Sequence, residues 1–293
     1  MSYLKIDNLY KAQEILLFKE CYAMEKLHGT SSWISYKDGR VAFFAGGSNH
    51  EEFVKLFDEN FLKDKFSVID IGKSMHVYGE AYGGKLQGMS KTYGDKLKFA
   101  AFEVKIGDTW LNVLKAEKFT RDLGLDFVHY KRIFTKLEDI DAERDSPSEQ
   151  AVKNGMGNST DKWGFCPPIR EGIVLRPLEE VVLNNGKRII TKHKRDELRE
   201  TKTPRPVNAD RLIILTKAKE IADEWVTLER LNHILTSGVV EVDIANTGKI
   251  INLMAEDIIK EAYNEIIDTP EVRKTIGRET ALMFKEYLKS QLG

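Results

Sequence analysis

Two prolines, Pro204 and Pro206, separate two textures in this chain of 293 residues, and that change constrains the fold more than any other feature. Before them, short apolar runs alternate with turn residues, the pattern of strands. After them, from Asn208 to Leu292, apolar residues recur at helical spacing, as in Ile250, Ile251, Met254, Ile258 and Ile259. The expected fold class is therefore α+β, with a strand-rich domain over 1–205 and a small all-α C-terminal domain over 206–293. In the first part, Ser32–Tyr36 and Val41–Phe44 flank Lys37-Asp38-Gly39-Arg40, which predicts a hairpin turning at Asp-Gly. A helix is expected over Glu51–Leu62 with Phe53, Leu56 and Phe57 on one face, and strands at Met75–Tyr78, Lys98–Ile106 and Gly172–Leu175. Val181–Ile190 reads as a second hairpin around Asn185-Gly186. The polar stretch from Asp141 to Asp161 reads as a surface excursion with at most one short helix between Pro147 and Gly155. In the helical part, Gly238 is placed to cap a helix ending near Ser237, and Asp243 to begin the next.

Composition narrows the setting. With 42% apolar and 31% charged residues the chain has the make-up of a globular protein. No apolar run approaches the ~20 residues that span a bilayer. The N-terminus lacks a signal-peptide core, and two cysteines, Cys21 and Cys166, make no disulfide framework. A cytoplasmic monomer with no membrane partner is expected. A net charge of −1 argues against a nucleic-acid coat but leaves room for a local basic groove.

Five short segments stand out. Glu25-Lys26-Leu27-His28-Gly29-Thr30 leads directly into the Trp33 hairpin; alone, it reads equally well as a surface turn with a solvated lysine. Gly79-Glu80 follows a strand. Phe102-Glu103 lies within one, where alternation sends the two side chains to opposite faces, so that both are not core. Glu171-Gly172-Ile173-Val174-Leu175-Arg176 comes next, and then Lys192 and Lys194, which alternation points to one side of a strand. Each has an ordinary reading: an aromatic in a strand is usually core, and Lys-x-Lys is usually solvated. Taken in order and spacing, they resemble the covalent nucleotidyltransferases, specifically ATP-dependent RNA ligases of the phage RNA-ligase-2 type, to which the RNA-editing ligases belong. Trp225–Leu235 resembles the helical-domain signature of the same group, so the likeness spans roughly residues 20 to 240.

The resemblance implies an antiparallel-sheet nucleotidyltransferase (ATP-grasp-like ligase) domain and a definite chemistry. Lys26 attacks the α-phosphorus of ATP and carries AMP as a phosphoramidate. AMP then passes to an RNA 5′-phosphate, and a 3′-hydroxyl displaces it. A free lysine, with a pKa of ~10.4, is protonated at neutral pH and needs neighbouring cations to become a nucleophile. By the same resemblance Glu25, Gly29, Glu80 (on the ribose) and Phe102 (on the adenine) bind the nucleotide. Glu171 and Glu103 hold Mg²⁺ or Mn²⁺, and Lys192 and Lys194 neutralise the departing pyrophosphate. Thr30, Arg176 and Arg195 meet RNA, with nicked duplex as the implied substrate. His28 serves AMP transfer to RNA, or is a structural hydrogen-bonding histidine. Gly29 is expected to let the backbone approach the nucleotide.

The likeness has gaps. No arginine lies in Phe43–Asn49, where many members carry one, and Ser31 stands where asparagine often follows the threonine. After Lys194, Arg195, Arg199, Lys202 and Arg205 interleave with acids, as a basic lead for RNA phosphates or a plain solvated helix face. An inactive RNA-binding relative, a DNA nick ligase and a GTP-using capping enzyme are the rival readings. The helical tail speaks against the last two, which carry a β-rich OB-fold there.

Overall fold

Asp38 and Gly39 both take positive φ, 49° and 73°, and join the two strands expected around them. The structure is a computed structural model that describes residues 3–183, 186–198, 209–262 and 266–291. In chain order the first part contains β1 (Glu20–Lys26), β2 (Thr30–Lys37), β3 (Arg40–Phe44), α1 (His50–Val54), α2 (Glu59–Val68), β4 (Met75–Gly83), α3 (Ser90–Tyr93), β5 (Leu97–Ile106), β6 (Thr109–Trp110) and α4 (Val113–Asp122). Next come β7 (Tyr130–Phe134), α5 (Leu137–Arg144), α6 (Glu149–Lys153), β8 (Gly172–Pro177) and β9 (Thr191–Lys194). They form two antiparallel sheets, ordered β7-β1-β8-β9 and β3-β2-β4-β5-β6. Aliphatic and aromatic residues such as Ile34, Phe53, Phe66, Val77, Tyr82 and Phe99 fill one continuous core.

The turn Leu27-His28-Gly29 carries the chain from β1, in the first sheet, to β2, in the second. A Cβ on Gly29 would lie 2.1 Å from the carbonyl oxygen of Ala81 on β4. Glycine is therefore required here by a backbone-to-backbone approach inside the protein. Gly29→Ala should cost about 1–3 kcal/mol, read as a lower urea midpoint. An unchanged midpoint would contradict the close packing described.

Two local expectations are corrected and a third is met. The helix foreseen over 51–62 is two helices, because Asp58 caps a new start at α2 by accepting from Phe61 N (3.1 Å). Phe53 is fully buried, whereas Leu56, between the helices, is 38% exposed. The stretch 141–161 is not a mere surface excursion: α5 runs into it, and Ser148, Gln150 and Ala151 on either side of the α6 start are buried. Over 181–190 the expected hairpin is present: Val182 bridges Arg188 antiparallel, Leu183 N donates to Lys187 O (2.7 Å) and Ile189 N to Val181 O (3.0 Å), while Asn184 and Asn185 lie outside the described residues.

The helical part comprises α7 (Ala209–Trp225), α8 (Leu228–Thr236), α9 (Thr247–Glu261) and α10 (Pro270–Gln291). Ala222, Leu231, Ile250, Met254, Ile276 and Phe284 close its core. Thr227 caps α8, Gly238 follows it at φ 74°, and Asp243 caps the short turn before α9. Residue contacts divide the chain into one unit of 1–180 with 190–205 and another of 181–189 with 206–293. The expected break between 205 and 206 leaves 181–189 in the first domain, whereas its contacts lie with the helices. Pro204, Pro206 and Asn208 are outside the described residues.

Candidate active site

Strand pairing places three of the expected residues side by side. Lys26, at the end of β1, is opposite Gly172 on β8, and Gly172 is opposite Lys194 on β9. A Cβ on Gly172 would meet the His193 carbonyl oxygen at 2.2 Å, so glycine is required where β8 and β9 close together. Glu171 then sits between the two lysines: its Oε2 is 2.7 Å from Lys26 Nζ and its Oε1 2.8 Å from Lys194 Nζ. Burial opposes ionisation of this carboxyl, but Lys26 and Lys194 outweigh it and hold the group below the usual carboxylate range. Glu80, on β4, accepts from the Gly29 amide (3.1 Å). Burial pushes its pKa up to about 7, with Lys26 acting in the opposite direction.

A carboxyl raised in the folded state favours folding at low pH. Its contribution is complete below the ordinary value of 4.5 and is lost as pH rises through about 7. Glu80→Gln should therefore melt above the unaltered protein at pH 8, with the gap closing toward pH 4.5; equal melting curves across that range would contradict the assignment.

Beside the lysines opens a cleft of about 300 Å³. Met24, Leu27, Phe102, Val128, Val174 and Ile190 give it apolar walls, and Lys26, Glu80 and Lys192 line it too. Phe102 and Glu103 were expected on opposite faces of β5. Instead, Tyr78 pairs with Glu103 and Gly79 with Ala101, so Phe102 is the extra residue of a β-bulge. Both side chains consequently line the same cleft. Tyr3 touches both, its ring 4.9 Å from that of Phe102 and its hydroxyl donating to the Glu103 carboxylate. The N-terminal segment reaches this position along the edge of β9, where Leu9 N donates to Lys192 O and Lys192 N to Asp7 O, both at 2.9 Å.

The sequence of residues 19–194 matches the family described as RNA ligase. The chain belongs to the RNA ligase family. Its fold is also similar to structures of a Naegleria gruberi RNA ligase. A mutant of that enzyme with AMP and Mn superposes with a TM-score of 0.51 at 16% identity, over 69% of this chain and 58% of that one. Another, with ATP and Mn, gives 0.50 at 17% identity, over 67% and 56%. This family member thus spans less than two thirds of the length of those chains, and at such identity the likeness speaks for the nucleotidyltransferase fold.

Within this ligase-family site, several residues sit otherwise than expected. Arg176 is 1% exposed; it pairs with Glu103 (3.1 Å) and Glu180 (2.7 Å) and donates to Leu111 O (2.7 Å), so it braces the cleft wall and does not present itself to RNA. Glu103, also 1% exposed, is engaged by that guanidinium and by the Tyr3 hydroxyl. Glu25 is also among the residues lining the cleft, and its carboxylate accepts from Ser148 Oγ (2.5 Å) and Gln150 N (3.1 Å) at the start of α6. Arg195 is buried and donates to Asp145 O (2.7 Å). Thr30 Oγ1 accepts from Gly47 N (2.9 Å), fixing the loop where an arginine was missed. Arg199, Lys202 and Arg205 are outside the described residues. Sequence reasoning did not find Tyr3, whose contacts at positions 78, 102, 103 and 110 no local pattern announces.

Among the described residues no three His, Cys, Asp or Glu side chains converge as a metal cage. What the site offers is one ionised carboxylate, Glu171, between two ammonium groups. That donor set fits a hard divalent cation that keeps waters and takes most of its other oxygens from bound phosphates. His28 lies in the same field: burial and the cations Lys162, Lys26 and Lys194 lower its pKa, against Glu171, which favours the imidazolium.

Proposed function

We propose that this chain is an ATP-dependent RNA ligase that seals 3′-hydroxyl and 5′-phosphate ends, in particular nicks in duplex RNA, through lysyl-AMP and RNA-adenylate intermediates. The observation that carries the reading is the Lys26–Glu171–Lys194 cluster, with Lys26 on the wall of a cleft of about 300 Å³ that also contains Phe102. A solvated lysine turn would not be built against a buried carboxylate and a second lysine.

In this reading the base enters the cleft along Phe102, with Glu80 beside the ribose. The triphosphate then lies toward Lys26, Lys192 and Lys194. Lys26 Nζ, once it has given up its proton, forms the bond to the α-phosphorus as the bond to pyrophosphate breaks. Lys192 and Lys194 face the charge that grows on the leaving oxygens, which is where fixed positive charge lowers a phosphoryl-transfer barrier. A divalent cation at Glu171 would supply further positive charge at the α-phosphate and compete with both ammonium groups for the carboxylate. AMP next passes from Lys26 to a 5′-phosphate, and the 3′-hydroxyl displaces it to make the phosphodiester. His28, neutral at pH 7 on the direction of its shift, is suited to hydrogen bonding rather than to charge stabilisation in the second step.

Protein charged with α-³²P AMP and given a 5′-phosphorylated nicked RNA duplex should pass the label to RNA and then release AMP with sealing. The same nick in DNA should remain open. Charged protein that transfers AMP to neither duplex would overturn the ligase reading, and sealing of DNA alone would reassign the substrate.

A further inference from the structure

The charged end of the site has a neighbour that the nucleotide chemistry does not use. Trp163 lies with its ring centre 6.1 Å from that of His28, two residues beyond Lys26. The ammonium of Lys162 stands over the indole at 4.5 Å, and two residues on the Arg195 guanidinium lies 5.5 Å from the centre of Phe165. One short loop thus carries two rings, each with a cation against it. Trp163 is half-buried, packed on one side against the core, and Lys162 is exposed.

The loop is rigidly held. Asp161, 4% exposed, accepts from the amides of Trp163 (2.9 Å), Phe165 (3.0 Å) and Ile169 (3.1 Å). A carboxylate with three backbone donors fixes the ring before any ligand arrives, which spares the ordering cost at binding. Position then decides what that ligand is. The cleft read as the adenine site is walled by Phe102, Val174 and Ile190, and Trp163 is not among its lining residues. It stands near His28, whose electrostatic neighbours are Lys26, Glu171, Lys194 and Lys162. In the reading above, AMP is held on Lys26, two residues from His28, and the RNA ends must come to it there.

We propose that Trp163 is the stacking platform that receives a base next to the RNA end joined at Lys26, the exposed Lys162 side chain moving its ammonium off the ring and onto the adjoining phosphate as the base arrives. The proposal rests on the ligase reading and adds the residue that grips the polynucleotide. An aromatic face with an adjacent cation suits a base and its phosphate together, because every base has a stacking face and every linkage a negative charge. Loss of one such stack is expected to weaken RNA binding by roughly 5- to 150-fold.

The test uses the full chain, with sealing of a nicked RNA duplex by AMP-charged protein followed in single turnover, and autoadenylation by ATP measured separately. Trp163→Leu keeps apolar bulk but removes the stack, whereas Trp163→Phe keeps a stacking face. The expected result is autoadenylation within about twofold for both variants, a half-saturating RNA concentration raised by roughly 5- to 150-fold in Trp163→Leu, and recovery to within a few-fold in Trp163→Phe. Lys162→Ala should show a smaller loss that disappears at high salt. Equal RNA affinity in Trp163→Leu and the unaltered protein, equal losses in the Leu and Phe variants, or autoadenylation falling in step with sealing would each make Trp163 a packing residue and overturn the platform. Failure of the unaltered protein to autoadenylate or seal would instead overturn the ligase reading itself, and the platform with it.

Discussion

Glu171→Gln is expected to leave the protein folded and to slow covalent AMP formation from ATP by about 10²–10³-fold. The carboxylate touches both Lys26 and Lys194, one through each oxygen. Neutralising it leaves two cations facing each other across a side chain of the same shape, and removes the anion that a divalent cation would use. Initial rates with labelled ATP at saturating metal measure the effect; a rate within about threefold of the unaltered protein would contradict it. Stability gives a second handle. Lys26 and Lys194 overcome burial to keep the carboxyl below its ordinary value of 4.5, so its contribution is present above that pH and fades as pH falls through the lower folded value. The variant should melt below the unaltered protein at pH 7, and the difference should shrink in acid.

Arg176→Met should cost about 3–5 kcal/mol of folding stability, the loss that follows removal of one partner from a buried ion pair. The guanidinium is the hub of the cleft's far wall. It meets Glu103 at 3.1 Å, Glu180 at 2.7 Å and the Leu111 carbonyl at 2.7 Å, with side-chain exposures of 2% for Arg176 and 1% for Glu103. Without it, the Glu103 carboxylate stays buried after losing its guanidinium. Arg176→Met combined with Glu103→Gln should recover much of the loss, because the carboxylate that has lost its cation is then replaced by a neutral amide. Urea denaturation reads both. A single-variant cost below about 1 kcal/mol, or a double variant no better than the single, would contradict the hub.

How much was legible in the sequence follows from how local each signal is. The Asp38-Gly39 turn, the Gly238 cap and the shared face of Lys192 and Lys194 depend on neighbours a few residues apart, and periodicity finds them. Glu171 and Lys26 are 145 positions apart, and it was family likeness that linked them. The bulge at Phe102 is invisible to alternation, because one extra residue against β4 turns two successive side chains toward one cleft. Arg176 matched a basic position in a motif, yet its surroundings come from β5 and the segment before α4, so its burial could not be read from the motif. Glu25 shows the same limit: adjacency to Lys26 suggested the nucleotide, but on a strand adjacent side chains part company, and Glu25 went to Ser148. The helix over 51–62 failed for a local reason that was readable, since Asp58 is a good N-cap inside it.

The most direct test of the account is incubation with α-³²P-labelled ATP or GTP and Mg²⁺, comparing the unaltered protein with Lys26→Ala on a denaturing gel. The account predicts label from ATP and none from GTP, retained through denaturation, and lost when Lys26 is replaced. Label that survives Lys26→Ala, or none at all in protein freed beforehand of bound AMP, would contradict the assignment of Lys26 as the adenylated nucleophile.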